Sequence, residues 1–306
     1  MTSTSLVQID HNDIYYLLIS CFTWSTLYFS LCLINPKRSY EWHIRTVTLI
    51  HAIIVSILGV YGAFVLGPWP FNNSGGPSSA YQHFVITISL AYFLLDFSWC
   101  LYFQTEGPVM LVHHTMSIAG LTVCFVLRYY GIEMITTLFG SEITNPLLQT
   151  RWFLKETNRY NSLLGDIVDV AFMSLFGFFR IFLGTILLYM YFGQDGTDWL
   201  GKLAGCLIYS MGWVFWISIV QYGYKKYKRK YGKRKSETKT ENGLTNNNKN
   251  SEKMSKDMKM NGNVEYMNGH CQGMKNGVVS NGDIRYRSTK GDYKGDADIS
   301  SSTVIN

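Results

Sequence analysis

Three observations predict an all-α, multi-pass membrane helical bundle of about seven transmembrane helices, followed by a disordered C-terminal tail. Seven apolar runs approach or exceed the ~20 residues a helix needs to cross ~30 Å of hydrocarbon. Charged residues are scarce, 16% of the 306-residue chain. Most of them fall between the runs or beyond the last one. Hydrocarbon offers the backbone no hydrogen-bond partners, so helices are the economical conformation for such runs.

The runs are 13–34, 43–66, 81–103, 109–130, 132–150, 167–192 and 199–223. The fifth is the least apolar, since Glu133, Glu142 and Asn145 lie in it. The loops support it independently. Lys37 and Arg38 lie in loop 35–42, Arg151, Lys155 and Arg159 in loop 151–166, and KKYKRKYGKRK opens the tail. Lys and Arg concentrate on cytoplasmic sides. If all three segments are cytoplasmic, an even number of crossings separates the first two, and 132–150 must span. The N-terminus, with Asp10 and Asp13, is then lumenal or extracellular, and so is loop 67–80. That loop, GPWPFNNSGGPSSA, is turn chemistry. It carries the sequon Asn72-Asn73-Ser74, which makes Asn72 a candidate glycosylation site. The first run is long enough to remain as a span, so no cleavable leader is expected.

Residues 1–224 hold 9 Lys/Arg against 12 Asp/Glu, a net of −3, while 225–306 hold 18 against 9, a net of +9. The basic character belongs to the tail. Because that segment follows directly on a span, anionic lipid headgroups are its expected partner, and nucleic acid is not. From about 230 onward the chain is rich in Asn, Gly, Lys and Ser, and it is read as coil. Five of the six cysteines, Cys21, Cys32, Cys100, Cys124 and Cys206, lie in apolar runs without paired spacing. Neither a disulfide framework nor a metal site is indicated. No cofactor motif is present: there is no P-loop, dinucleotide fingerprint, GxSxG or HExxH.

Ionisable groups inside spans are costly and are candidates for function. His113 and His114 are adjacent, so on a helix they diverge by ~100°. Imidazole can act as base, acid or nucleophile, and the two are the candidate catalytic residues; as a structural pair they would bond backbone or Glu142. Glu142, Thr144, Asn145 and Pro146 form a polar break in the fifth run, either a binding notch or a satisfied proline kink. Arg180 at mid-span requires a partner, with Asp96 or Glu142 expected by depth. Such a pair reads most simply as a device that fixes register. His51 is a lone polar group suited to a helix-packing hydrogen bond. His51, Asp96, Glu142, Asn145 and Arg180 are expected to line one polar cavity that accepts lipid. Asp166 and Asp169 open the sixth run, where a helix N-terminus favours carboxylates.

The stretches KRSYEWHIRTVTLIHA, GPWPF, DFSWCLYFQTEGPVMLVHHTMSI, LFGSEITNPLLQTRWFLKET and FFRI carry a family resemblance over about 37–182. The chain resembles the TLC family, whose domain would occupy 36–229, after an N-terminal segment and first span in 1–35 and before the tail 230–306. The resemblance implies a helical bundle around a polar, lipid-accessible cavity. In the ceramide synthase branch, histidines matching His113 and His114 are catalytic and an HDxxD-type element follows. Here GSEITNP stands in that region. The element Glu142, Thr144, Asn145, Pro146 matches a branch associated with phospholipid composition, membrane fluidity and lipid transport or sensing. Lipid handling is therefore the expected role, with membrane acyl chains and phospholipids as partners. A histidine-dependent acyltransferase and a scaffold without a lipid site are the alternatives.

Overall fold

The computed structural model describes residues 10–71, 74–194 and 196–260. The described residues divide into two units, one within 10–223 and one within 224–260. The described part of the first is wholly helical apart from loops and one isolated β-bridge, Pro77 with Tyr129.

The helices are α1 (His11–Ile34), α2 (Tyr40–Val60), α3 (Ala80–Phe103), α4 (Pro108–Leu127), α5 (Gly131–Glu142), α6 (Asn145–Glu156), α7 (Leu163–Phe176), α8 (Gly184–Phe192) and α9 (Trp199–Met260). A π-helical turn, Tyr61–Leu66, continues α2, and another, Gly177–Leu183, joins α7 to α8. Local chemistry sets the starts. The Ser39 hydroxyl accepts the Trp42 amide at 3.2 Å, and Ser79 and Gln82 form a capping box on α3. Each satisfies amides that a helix start leaves open. Pro108 and Pro146 sit in the first turns of α4 and α6, where no amide donor is needed. Within the spans, hydroxyls return to the carbonyl four residues back, as Thr87 does to His83 (2.8 Å) and Ser89 to Val85 (2.8 Å). That keeps them satisfied away from water.

Among the described residues, six helical stretches are long and apolar enough to cross a membrane: His11–Ile34, Tyr40–Leu66, Ala80–Phe103, Pro108–Leu127, Leu163–Phe192 and Trp199–Lys230. The chain is an integral multi-pass membrane protein. The expected continuous fifth span over 132–150 is instead two helices of 12 residues each, broken at Ile143 and Thr144. Each is ~18 Å long at 1.5 Å per residue. The break falls one residue before the Asn145-Pro146 pair, because the proline ring would clash with a helix continuing through it.

Two ends of the bundle are visible in its ionic contacts. At one, Asp13 of α1 meets Arg128 at the end of α4 and lies 3.2 Å from His83 of α3, while the Gly75 amide donates to Glu133 of α5. At the other, Arg45 of α2 pairs with Glu41 (2.9 Å) and with Glu106 beyond α3 (3.2 Å). There Trp42 packs edge-on against Trp152 and Phe153 of α6. Glu133 and Trp152 lie at opposite ends, so α5 and α6 in succession traverse the bundle.

The interior contains two apolar clusters. The larger is contributed by α1 to α5 and includes Trp24, Val47, Ile86, Tyr92, Leu121 and Ile135. The smaller is Phe172, Phe176, Phe215 and Ile219 with neighbours such as Met110 and Leu148. Large apolar side chains such as Phe22, Leu33, Phe182 and Tyr189 face outward, as lipid contact requires.

In the second unit the backbone is helical from Tyr224 through Met260. Coil was expected from about 230. A helix already nucleated in the span extends without paying nucleation again, and no proline interrupts 224–260. Cys271 and the rest of the tail lie outside the described residues.

Candidate functional site

A cavity of about 120 Å³ lies between the two apolar clusters. Its polar lining comes from six segments. On α2, Arg45 and Thr48 are three residues apart and share a face. On α3, Tyr92, Asp96 and Cys100 recur at four-residue spacing. α4 contributes His113 and His114, and Glu106 enters from the loop before it. Ser141, Glu142, Thr144, Asn145 and Gln149 come from the α5–α6 break, and Arg180 from the π-helical turn. π-Turns inside helices occur often at functional sites.

The α5–α6 break carries a chain of side-chain hydrogen bonds. Asn145 Nδ2 donates to Glu142 Oε2 at 3.0 Å, and Gln149 Nε2 donates to Asn145 Oδ1 at 3.0 Å. Behind Glu142 stands His51, fully buried and stacked on Tyr92 with ring centroids 3.7 Å apart. His51 Nδ1 lies 3.7 Å from Glu142 Oε2, beyond hydrogen-bond length. His51 therefore packs as an aromatic beside a carboxylate. The expected helix-packing hydrogen bond is not formed, because stacking on Tyr92 sets the ring plane. The Tyr92 hydroxyl donates to Thr48 at 3.0 Å.

Asp96 and His114 face each other across α3 and α4, Oδ2 to Nε2 at 3.6 Å. His113 turns to the other side, edge-on to Phe215 of α9 at 5.3 Å between centroids. The ~100° divergence on the helix thus places the two rings against different walls of one cavity. Arg180 departs from expectation. Among the described residues it forms no ion pair; its Nη2 donates to the Ser141 carbonyl at 3.2 Å and its guanidinium lies over Phe176. The break at Ile143 leaves the last carbonyls of α5 without helical donors, and a cation suits that end.

Six of the seven sequence-proposed site residues, Asp96, His113, His114, Glu142, Asn145 and Arg180, line this cavity, and His51 lies directly behind it. Several buried atoms of these residues have no hydrogen-bond partner among the described residues: His114 Nδ1, Gln149 Oε1, Arg180 Nε and both His51 nitrogens. Sequence reasoning missed Thr48, Cys100, Glu106, Ser141 and Gln149, which are ordinary in their runs. Glu106 carries the clearest signal outside the spans. Burial pushes its carboxyl up to about 7 against the opposing pull of Arg45. Asn72, the candidate glycosylation site, lies outside the described residues. Asp169, read as a helix-dipole residue, also pairs with Arg151 at 3.1 Å and accepts from the Tyr160 hydroxyl at 2.6 Å.

A bundle of apolar helices around a cavity of histidine, carboxylate, amide and guanidinium groups defines a membrane protein with an internal polar site. The TLC domain profile matches residues 41–224, and the chain belongs to the TLC domain family. It is similar to TLC domain-containing protein 4 A of Dictyostelium discoideum, 25% identical over 150 residues, covering 48% of this chain and 58% of that protein. It is also similar to TLC domain-containing protein 4 of Homo sapiens, 25% identical over 205 residues, covering 61% of this chain and 75% of that protein. No solved structure matches the chain.

Proposed function

We propose that this protein binds membrane lipid in the cavity and so influences phospholipid composition. One observation carries the reading: side chains from α3, α4, the α5–α6 break and the π-turn, isolated along the sequence, converge on a single space. A cavity of about 120 Å³ would hold a polar headgroup fragment or the carbonyl end of a chain. The acyl chains would lie against the outward apolar surface. The quoted sequence stretches also resemble TLC domain-containing protein five, and the proposal includes kinship with that member. The basic segment 225–235 would hold anionic headgroups. The same reading puts the N-terminus in the lumen or outside and the C-terminus in the cytoplasm. The test is untargeted lipidomics of cells lacking the protein, rescued with wild type or with His113→Ala/His114→Ala. Rescue by wild type alone supports a lipid site; equal rescue by both removes it.

The Asp96–His114 pair favours a second reading, a histidine-dependent acyltransferase. A carboxylate facing an imidazole orients it as base or nucleophile. Purified protein given labelled acyl-CoA and mixed lipid acceptors distinguishes the two. A histidine-dependent acyl adduct or acylated lipid supports the enzyme, and its absence supports binding alone.

A further inference from the structure

Cys100 joins Asp96 and His114 in one cluster, and neither the lipid reading nor the acyl-transfer reading uses the thiol. Asp96 and Cys100 are one turn apart on α3, which places them on one face, and His114 approaches from α4. One carboxylate oxygen, the thiol sulfur and one imidazole nitrogen all lie within 4.8 Å of one another. Cys100 and His114 are buried, 5% and 7% exposed, and Asp96 is partly buried. The Asp96–His114 separation of 3.6 Å is too long for a hydrogen bond. It is close to the ~3.3 Å that separates two ligands each 2.0–2.1 Å from a tetrahedral zinc ion. A thiolate and an imidazole on the same ion stand ~3.6 Å apart, so closing the trio takes side-chain movements on the order of 1 Å.

We propose that Asp96, Cys100 and His114 bind a zinc ion. Carboxylate, thiolate and imidazole match zinc's borderline softness, and three protein ligands leave a fourth position open. All three residues line the cavity, so the fourth position faces it, accessible to water or to an oxygen of a bound molecule. Charge favours the site. The doubly positive ion, the Asp96 carboxylate, the Cys100 thiolate and neutral His114 sum to zero, which lowers the cost of burial. Binding releases one proton, from the Cys100 thiol, to solvent. The spacing, Asp-x3-Cys with a histidine 14 residues beyond the cysteine, is no known motif and becomes visible only when α3 and α4 pack.

The proposal does not depend on the lipid reading, because its readouts concern the ion alone. The full chain, stripped with chelator and reconstituted in nanodiscs, is titrated with cobalt(II) and then zinc. One cobalt per chain is expected, with a thiolate-to-cobalt charge-transfer absorption that zinc abolishes. Cys100→Ser is expected to remove that absorption, and Asp96→Asn to weaken cobalt binding by more than about tenfold, the low end even for outer-shell losses. X-ray absorption on zinc-loaded wild type is expected to show one sulfur at ~2.3 Å, a readout that does not depend on any variant folding. No charge-transfer absorption, an absorption that persists in Cys100→Ser, or a zinc shell without sulfur would each overturn the proposal.

Discussion

Glu142 shows how a single side chain organises its surroundings. It is 5% exposed and accepts from Asn145, which in turn accepts from Gln149. Glu142→Gln keeps an acceptor for Asn145, whereas Glu142→Leu leaves the Asn145 amide without one. An unsatisfied buried donor costs ~1–3 kcal/mol in water-soluble proteins, while interhelical hydrogen bonds in membranes average ~0.6. The α5–α6 turn is local and its amides re-pair readily, so the Leu variant is expected to lose about 1 kcal/mol and the Gln variant less. Thermal unfolding in nanodiscs compares them. Glu106 responds to pH instead. Its carboxyl is raised from an ordinary 4.5 to about 7, with burial the largest cause. Between those values the unfolded chain has lost the proton and the folded chain keeps it, so folding stability falls as pH rises through this window. Glu106→Gln is expected to flatten that slope, read from unfolding midpoints across it. His113, His114 and Glu142 were legible in the sequence because ionisable groups in apolar runs are conspicuous. Glu106 was not, since an acid in a loop normally means solvent, and only its approach to Arg45 shows otherwise.

At the scale of elements, the contact of α2 with α5 is set by small residues. A Cβ on Gly59 would lie 2.8 Å from the Phe139 Cβ and 3.1 Å from the Ile135 carbonyl. Neither is the flexible end of a side chain, so one helix must move. Gly59→Ala is expected to destabilise by ~1–3 kcal/mol, the usual cost of overpacking, despite the better helix propensity of alanine. The same unfolding assay checks it, with Gly212→Ala as control, since nothing lies within 4 Å of its added Cβ. Loop charge predicts a fifth crossing over 132–150; the structure has two 12-residue helices there, α5 and α6, and that division was not legible. Pro146 announces a break, yet whether a proline kinks a continuous helix or begins a new one depends on what takes the freed carbonyls. Here Arg180 takes the carbonyl of Ser141. That guanidinium comes from 39 residues away in the chain, and no local pattern announces it.

For the whole molecule, the decisive property is that successive helices run between two ionic ends. Asp13, His83 and Arg128 cluster at one, and Glu41, Arg45 and Glu106 at the other. Pairs of this kind are screened and weak at an exposed surface, but Asp13 and Arg45 are 4% and 7% exposed, where truncating one partner strands the other. The same geometry decides topology. α5 begins beside Asp13's end and α6 finishes beside Arg45's end, so the loops before α5 and after α6 are expected on opposite faces of the membrane. In the proposed orientation, which follows the Lys and Arg of 151–166, the loop after α6 is expected in the cytoplasm. Long sequon-bearing insertions at 129–130 and at 157–162 test both statements in cells. Glycan is expected on the first and not on the second. Glycan on the second alone would reverse the proposed orientation. Glycan on both, or on neither, would mean that α5 and α6 do not cross and would put the two faces of the cavity on one side.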